Sequence, residues 1–153
     1  MRLYLVQHGQ AKSKDEDPDR HLTDTGTLEV EKMATFLKPL EIMVEALWHS
    51  GKARAAQTAE ILATGVTAKQ GPVRHDGLAP KDDVVAIAEE ISRLKKDIFI
   101  VGHLPFLSKL ASLLLCDDAS NEVIGFQYSG VVCLEQNEDK TWVLHWMVTP
   151  DLL

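Results

Sequence analysis

A chain of 153 residues has the size of one ordinary domain and is long enough to bury a core, so a single domain is expected. Its 16 Lys and Arg against 23 Asp and Glu give a net charge of −7, with no basic block that could neutralise a run of phosphates, which argues against a nucleic-acid partner. No stretch approaches the roughly 18 apolar residues of a membrane span and the opening apolar run is too short for a signal peptide, so a cytoplasmic protein away from membranes is expected.

The chain opens on Leu3-Tyr4-Leu5-Val6, a short buried strand, followed at once by Gln7-His8-Gly9. His8 thus stands at a strand's carboxyl end, the edge at which open α/β sheets bind ligands. Lys12 to Arg20 is charged, contains Pro18, lacks a period and reads as a surface loop. Leu22 to Gly26 supplies capping side chains, and Val30, Met33, Ala34 and Leu37 recur at helical spacing before Pro39. Glu45 to Ser50 reads as a second strand, broken by Gly51, and Ala53 to Ala63 as an alanine-rich helix closed by Gly65. This βα unit carries Ser50 and Arg54 in its turn and brings a helix N-terminus to the edge that holds His8.

Val66 to Pro80 contains two Pro turns and reads as loop with a short strand at Val73. Asp82 or Asp83 caps a helix whose Val84, Ile87, Ala88, Ile91 and Leu94 share one face. Ile98 to Val101 is a continuous apolar run that ends at Gly102-His103, a second buried strand delivering a histidine. Pro105 suits a first helical turn, and Leu107, Leu110, Ala111 and Leu114 continue it. Val131 to Glu135 and Thr141 to Met147, separated by Gln136 to Lys140, predict a C-terminal antiparallel hairpin. The class is α/β.

Two histidines and an arginine gathered at one sheet edge suit a tetrahedral dianion. Arg54 offers planar, permanently charged donors, and the helix it begins adds free N–H groups. A neutral His8 can attack phosphorus with one ring nitrogen while His103 donates to oxygens that gain charge. Arg20 is a further candidate for phosphate contact. His21, His49, His75 and His145 read as structural or surface histidines, and Trp48, Trp142 and Trp146 as packing. Cys116 and Cys133 lie in or beside apolar runs and read as buried reduced thiols, as the cytoplasm keeps them. No metal-ligand spacing and no Gly-rich phosphate loop occur, so neither a metal nor a nucleotide cofactor is expected.

Five segments, in this order, resemble the histidine phosphatase superfamily, with its phosphoglycerate-mutase-like fold, and within it the small SixA-type phosphohistidine phosphatases. They are Gln7 to Ala11, Arg20 to Gly26, Ser50 with Arg54 to Ala59, Gly102 to Pro105, and Ser129-Gly130. The resemblance implies a three-layer α/β/α architecture with a mixed, mostly parallel sheet. It makes His8 the phosphorylated nucleophile, Arg54 a phosphate clamp and His103 the second phosphate-contacting histidine, so that His8, Arg54 and His103 are the catalytic candidates. Gln7, His8, Arg54, His103 and Arg20 form the phosphate-binding set.

The family's signature places an arginine directly before the nucleophile, where this chain has Gln7. An uncharged amide forfeits a charged hydrogen bond worth roughly 1.5–3 kcal/mol, or about one to two orders of magnitude in rate, which Lys12 or Arg20 could partly restore. Larger relatives supply a carboxylic acid to the leaving oxygen, for which Asp82 and Asp83 are the local candidates. A phosphoramidate needs that acid less, because its leaving imidazole has a pKa of only about 6.5. The expected substrate is a protein phosphohistidine or a small phosphorylated molecule. A phosphoprotein-binding module that has lost turnover is the alternative.

Overall fold

Alternation along the first strand divides the molecule into its layers. In the computed structural model, which describes residues 1–153, strand β1 (Arg2–Gln7) points Leu3 and Leu5 to one face of a sheet and Tyr4 and Val6 to the other. On the Tyr4 and Val6 face lie α1 (Asp24–Leu37) and α2 (Ala53–Leu62), which bury Val30, Met33, Leu37, Ala55, Ala59 and Leu62. On the opposite face lie α3 (Val84–Leu94) and α4 (Phe106–Cys116), with Val84, Ile87, Ile91, Phe106 and Leu110 against the sheet. This is the three-layer α/β/α arrangement.

The sheet has six strands: β1, β2 (Met43–His49), β3 (Thr67–Arg74), β4 (Ile98–Gly102), β5 (Val131–Gln136) and β6 (Trp142–Val148). Their order is β3-β2-β4-β1-β5-β6. The first four in that order pair in parallel, while β5 runs antiparallel to β1 and β6 antiparallel to β5. The mixed, mostly parallel sheet closed by a hairpin is therefore observed. No helix is long and apolar enough to cross a membrane.

Two local expectations need correction. The Val66 to Pro80 stretch is not mainly loop, because β3 covers Thr67–Arg74. It is an edge strand, mostly exposed and therefore without the apolar pattern that marks buried strands, and its pairing with β2 shifts register between Ala46 and Trp48, where Pro72 is accommodated. Cys116 is exposed, since it ends α4 just where the chain turns away through a left-handed Asp117. Cys133 is fully buried in β5, and burial pushes its thiol up to about 12, which makes it inert.

The start of α1 ties the core to the loop after β1. Thr23 Oγ1 accepts from the Gly26 N–H at 2.9 Å, and the Thr23 N–H donates to the Gln10 carbonyl at 3.0 Å. Gly26 rests on the Gln10 backbone so closely that a Cβ there would come 2.1 Å from the Gln10 carbonyl oxygen. Gly26→Ala should therefore destabilise the protein by about 1–3 kcal/mol in urea denaturation, with the damage centred on the loop that carries His8.

Candidate active site

Parallel pairing brings the two histidines together. Gln7 of β1 sits opposite Gly102 of β4, and the His8 N–H extends the ladder by donating to the Gly102 carbonyl at 3.0 Å. The residues just past these strand ends, His8 and His103, then lie with ring centroids 5.0 Å apart, inclined at 52°. Both are buried, 6% and 2% exposed.

The two rings are held differently. His8 Nδ1 lies 2.7 Å from the Gly9 carbonyl oxygen, which can only accept, so Nδ1 carries the proton and Nε2 keeps a free lone pair. Burial, aided by the charges of Arg54 and Arg20 and opposed by that hydrogen bond, lowers the His8 pKa to about 4. His103 is pushed down to about 3, chiefly by burial, then by His8, Arg54, Lys52 and Arg20. Its Nε2 lies 2.6 Å from Ser50 Oγ, while its buried Nδ1 has no partner. A buried N–H is rarely left unpaired, so the proton belongs on Nε2, which donates to Ser50 Oγ. His103 therefore presents an N–H and His8 a lone pair.

The surroundings are cationic. A cleft of about 440 Å³ is lined by Lys14, Arg20, Lys52 and Arg54, with Asp19 its one carboxylate. Arg54 stands in the first turn of α2, whose N-terminus no side chain caps. Its Nε is buried without a partner, neither it nor Arg20 joins an ion pair, and burial together with Arg20 lowers its pKa. Two guanidiniums that repel each other beside an open helix N-terminus are an arrangement that a bound anion stabilises. Arg20 is held there by a left-handed backbone and by its Nε donating to the Lys12 carbonyl at 3.0 Å. Lys12 thus contributes its carbonyl, and Lys14 lines the cleft instead.

The other candidates fall elsewhere. Gln7 is buried but lines a separate pocket together with Tyr128, and its side-chain oxygen has no partner. Asp82 accepts from the Ala79 N–H and Asp83 from the Val85 N–H, each at 2.9 Å, so both serve as backbone caps before α3. The neighbouring charges that act on His8 and His103 come from Arg20, Lys52, Arg54 and the other histidine, with no carboxylate among them.

His49 accepts from the Gly51 N–H, His75 packs on Trp48 with ring centroids 3.9 Å apart, and His145 is exposed on β6. Asp17, Asp19 and His21 bring metal-ligating atoms within 4.8 Å of one another. There His21 Nδ1 donates to Asp17 at 2.7 Å, which together with the His21 backbone N–H holds that carboxyl down at about 2.

Two contributors were not foreseen. Thr58 Oγ1 accepts from the Gly9 N–H at 2.9 Å and donates to the Arg54 carbonyl at 2.7 Å, tying the loop that carries His8 to α2. The Tyr128 ring lies 5.5 Å from that of His8. Its only signal in the sequence is an aromatic residue directly before Ser129-Gly130.

Residues 3–79 match the family model of the histidine phosphatase superfamily, branch 1. An uncharacterised protein of Picosynechococcus sp. is 33% identical over 121 residues, covering 74% of this chain and 73% of that protein. The chain belongs to the histidine phosphatase superfamily. Its class is therefore that of the phosphatases. Among solved structures, that of the protein histidine phosphatase SixA complexed with tungstate superposes with a TM-score of 0.84 at 23% identity, covering 99% of each chain. The α-ribazole phosphatase from Shigella flexneri gives 0.73 at 17% identity, over 98% of this chain and 97% of the other. At such identities the likeness is one of fold, the histidine phosphatase fold that the layers and strand order already describe.

Both site histidines titrate below 6.5, which fixes the sign of a pH effect. Between that pH and about 4 the unfolded chain binds protons that folded His8 and His103 refuse, so stability is lost as pH falls through this window. Thermal denaturation should show Tm falling from pH 6.5 to 4, with a shallower decline in His103→Gln than in the wild type. Equal slopes would show that His103 is not held neutral.

Proposed function

We propose that this protein is a phosphohistidine phosphatase of the SixA type that works through a phospho-His8 intermediate. The observation that carries the proposal is the protonation pattern of the histidine pair: a buried, neutral His8 with Nδ1 committed to Gly9 and Nε2 free. Arg54 and Arg20 hold the phosphoryl group, and His103 Nε2–H moves from Ser50 to a phosphoryl oxygen as charge builds there. His8 Nε2 attacks phosphorus of a substrate whose ring carries a proton on its other nitrogen, the P–N bond breaks with its electron pair staying on the departing nitrogen so that neutral imidazole leaves, and water then hydrolyses phospho-His8.

The substrate class follows from what surrounds the pair. Asp82 and Asp83, the two carboxylates expected as acids, are engaged as backbone caps before α3. An imidazole departs without such help far more easily than an alkoxide does. A protein-borne phosphohistidine suits the open, cation-lined cleft. Gln7 favours a second reading, a phosphoprotein-binding module without turnover, because it supplies no charge and lines the neighbouring pocket rather than the cleft.

Incubation with a small phosphoramidate should put acid-labile phosphate on the wild type and none on His8→Ala, with the label decaying as phosphate is released. Arg54→Ala should lower kcat/KM by about 10- to 150-fold, the worth of a charged hydrogen bond. If no label forms while inorganic phosphate still raises Tm, turnover is refuted and the binding-module reading takes its place.

A further inference from the structure

Arg20 lines the cleft from a backbone that its own side chain disfavours. Its φ of 54° lies in the left-handed region, where a residue with a Cβ stays only when its surroundings fix it. The hydrogen bonds that fix it converge on Asp17. The Asp17 carbonyl accepts from the Arg20 N–H at 2.9 Å, Asp17 Oδ1 from the Asp19 N–H at 3.1 Å, and Asp17 Oδ2 from the His21 N–H at 3.0 Å. His21 Nδ1 donates to the same Oδ2 at 2.7 Å. Asp17 thus takes the N–H of the residue on each side of Arg20 as well as that of Arg20 itself.

The turn so formed is anchored to the rest of the fold. The Asp17 N–H donates to the Ser13 carbonyl at 3.0 Å and the Lys12 N–H to the His21 carbonyl at 2.9 Å, while Arg20 Nε closes onto the Lys12 carbonyl at 3.0 Å. Just beyond, the Leu22 N–H donates to Gln57 Oε1 at 2.8 Å, on the same helix as Arg54. Arg20 is therefore carried to α2 as part of a folded unit, and its charge acts on Arg54, His8 and His103.

We propose that Asp17 is the positioning residue for Arg20: its carboxylate gathers the backbone N–H groups on both sides of Arg20 and so fixes the left-handed turn that sets the guanidinium beside Arg54 in the cleft. This rests on the reading of Arg20 as a phosphate contact. A carboxylate suits the task because it offers two acceptor oxygens and no donor, and the three N–H groups it accepts from offset a negative charge that would otherwise oppose an anion. Asn would keep one acceptor at the same reach. Glu would keep the charge, but its extra methylene misplaces the oxygens for N–H groups two and four residues on. The Asp19 carboxylate lines the cleft and takes no part in the turn's hydrogen bonds.

A double-mutant cycle on the affinity for inorganic phosphate, read by titration calorimetry, tests this without requiring turnover. Arg20→Ala should weaken binding by about tenfold or more, the worth of a charged hydrogen bond. Asp17→Ala should weaken it by about five- to tenfold where Arg20 is present and by less than about twofold in the Arg20→Ala background. Charge alone gives the opposite sign, because removing a carboxylate beside an anion site tightens binding, as Asp19→Asn should do. Asp17→Asn should stay within about twofold of the wild type and Asp17→Glu should match Asp17→Ala, the order that shape rather than charge dictates. If Asp17→Ala fails to fold, Asp17→Glu carries the same cycle.

Equal effects of the Asp17 substitution in the two backgrounds would overturn the proposal, as would tighter binding in Asp17→Ala or wild-type affinity in Arg20→Ala. Coupling between the two positions in a protein that never forms phospho-His8 would uphold the positioning role and refute the phosphatase reading alone.

Discussion

The parallel pairing of β1 with β4 is the constraint on which the site depends. Adjacent strands lie about 4.8 Å apart, so two residues that leave paired strands at matched register positions must emerge side by side. Gln7 opposite Gly102 is that match, and it places the His8 and His103 rings 5.0 Å apart with no further device. Both strands are central in the sheet and covered by helices on both faces, so their ends are rigid and dry. Desolvation then keeps both imidazoles neutral, which is the state a nitrogen nucleophile requires. A slip of one residue in this pairing would misplace one histidine, and no rearrangement of the loops could restore the pair.

Around that fixed pair the chain separates charge. An overall acidic protein gathers Arg20, Arg54, Lys14 and Lys52 around one cleft and leaves Glu29 and Asp151 lining another pocket. Net charge therefore says little about the local field, because a few cations beside an uncapped helix N-terminus set the potential of the cleft they line. The substitution at position 7 belongs to the same division. Gln7 lines a pocket that no Lys or Arg reaches, and its amide adds no charge there.

Legibility followed burial. The apolar runs of β1 and β4, the capped and periodic helices, and the hairpin after Gly130 were plain because each encodes its partner face in its own residues. Strand β3 was missed because an exposed edge strand draws its order from backbone pairing with β2, which leaves no mark on its side chains. The burial of Cys116 was misjudged because an apolar helix can end in solvent when a left-handed residue turns the chain away. Asp82 and Asp83 remained ambiguous as acids or caps until the backbone N–H groups they accept from were visible.

The sequence by itself determined the class of fold, the two strand ends that carry histidine, and the order of motifs that marks the histidine phosphatase superfamily, because local periodicity and residue spacing are one-dimensional quantities. Only the tertiary structure decided which groups meet: Arg20 and Lys14 in the cleft rather than Lys12, Thr58 binding the Gly9 loop to α2, Tyr128 against His8, and Gln7 beside Glu29 and Asp151. Those contacts join residues distant along the chain, and the field and burial they create arise only when the packed layers bring them within a few ångströms.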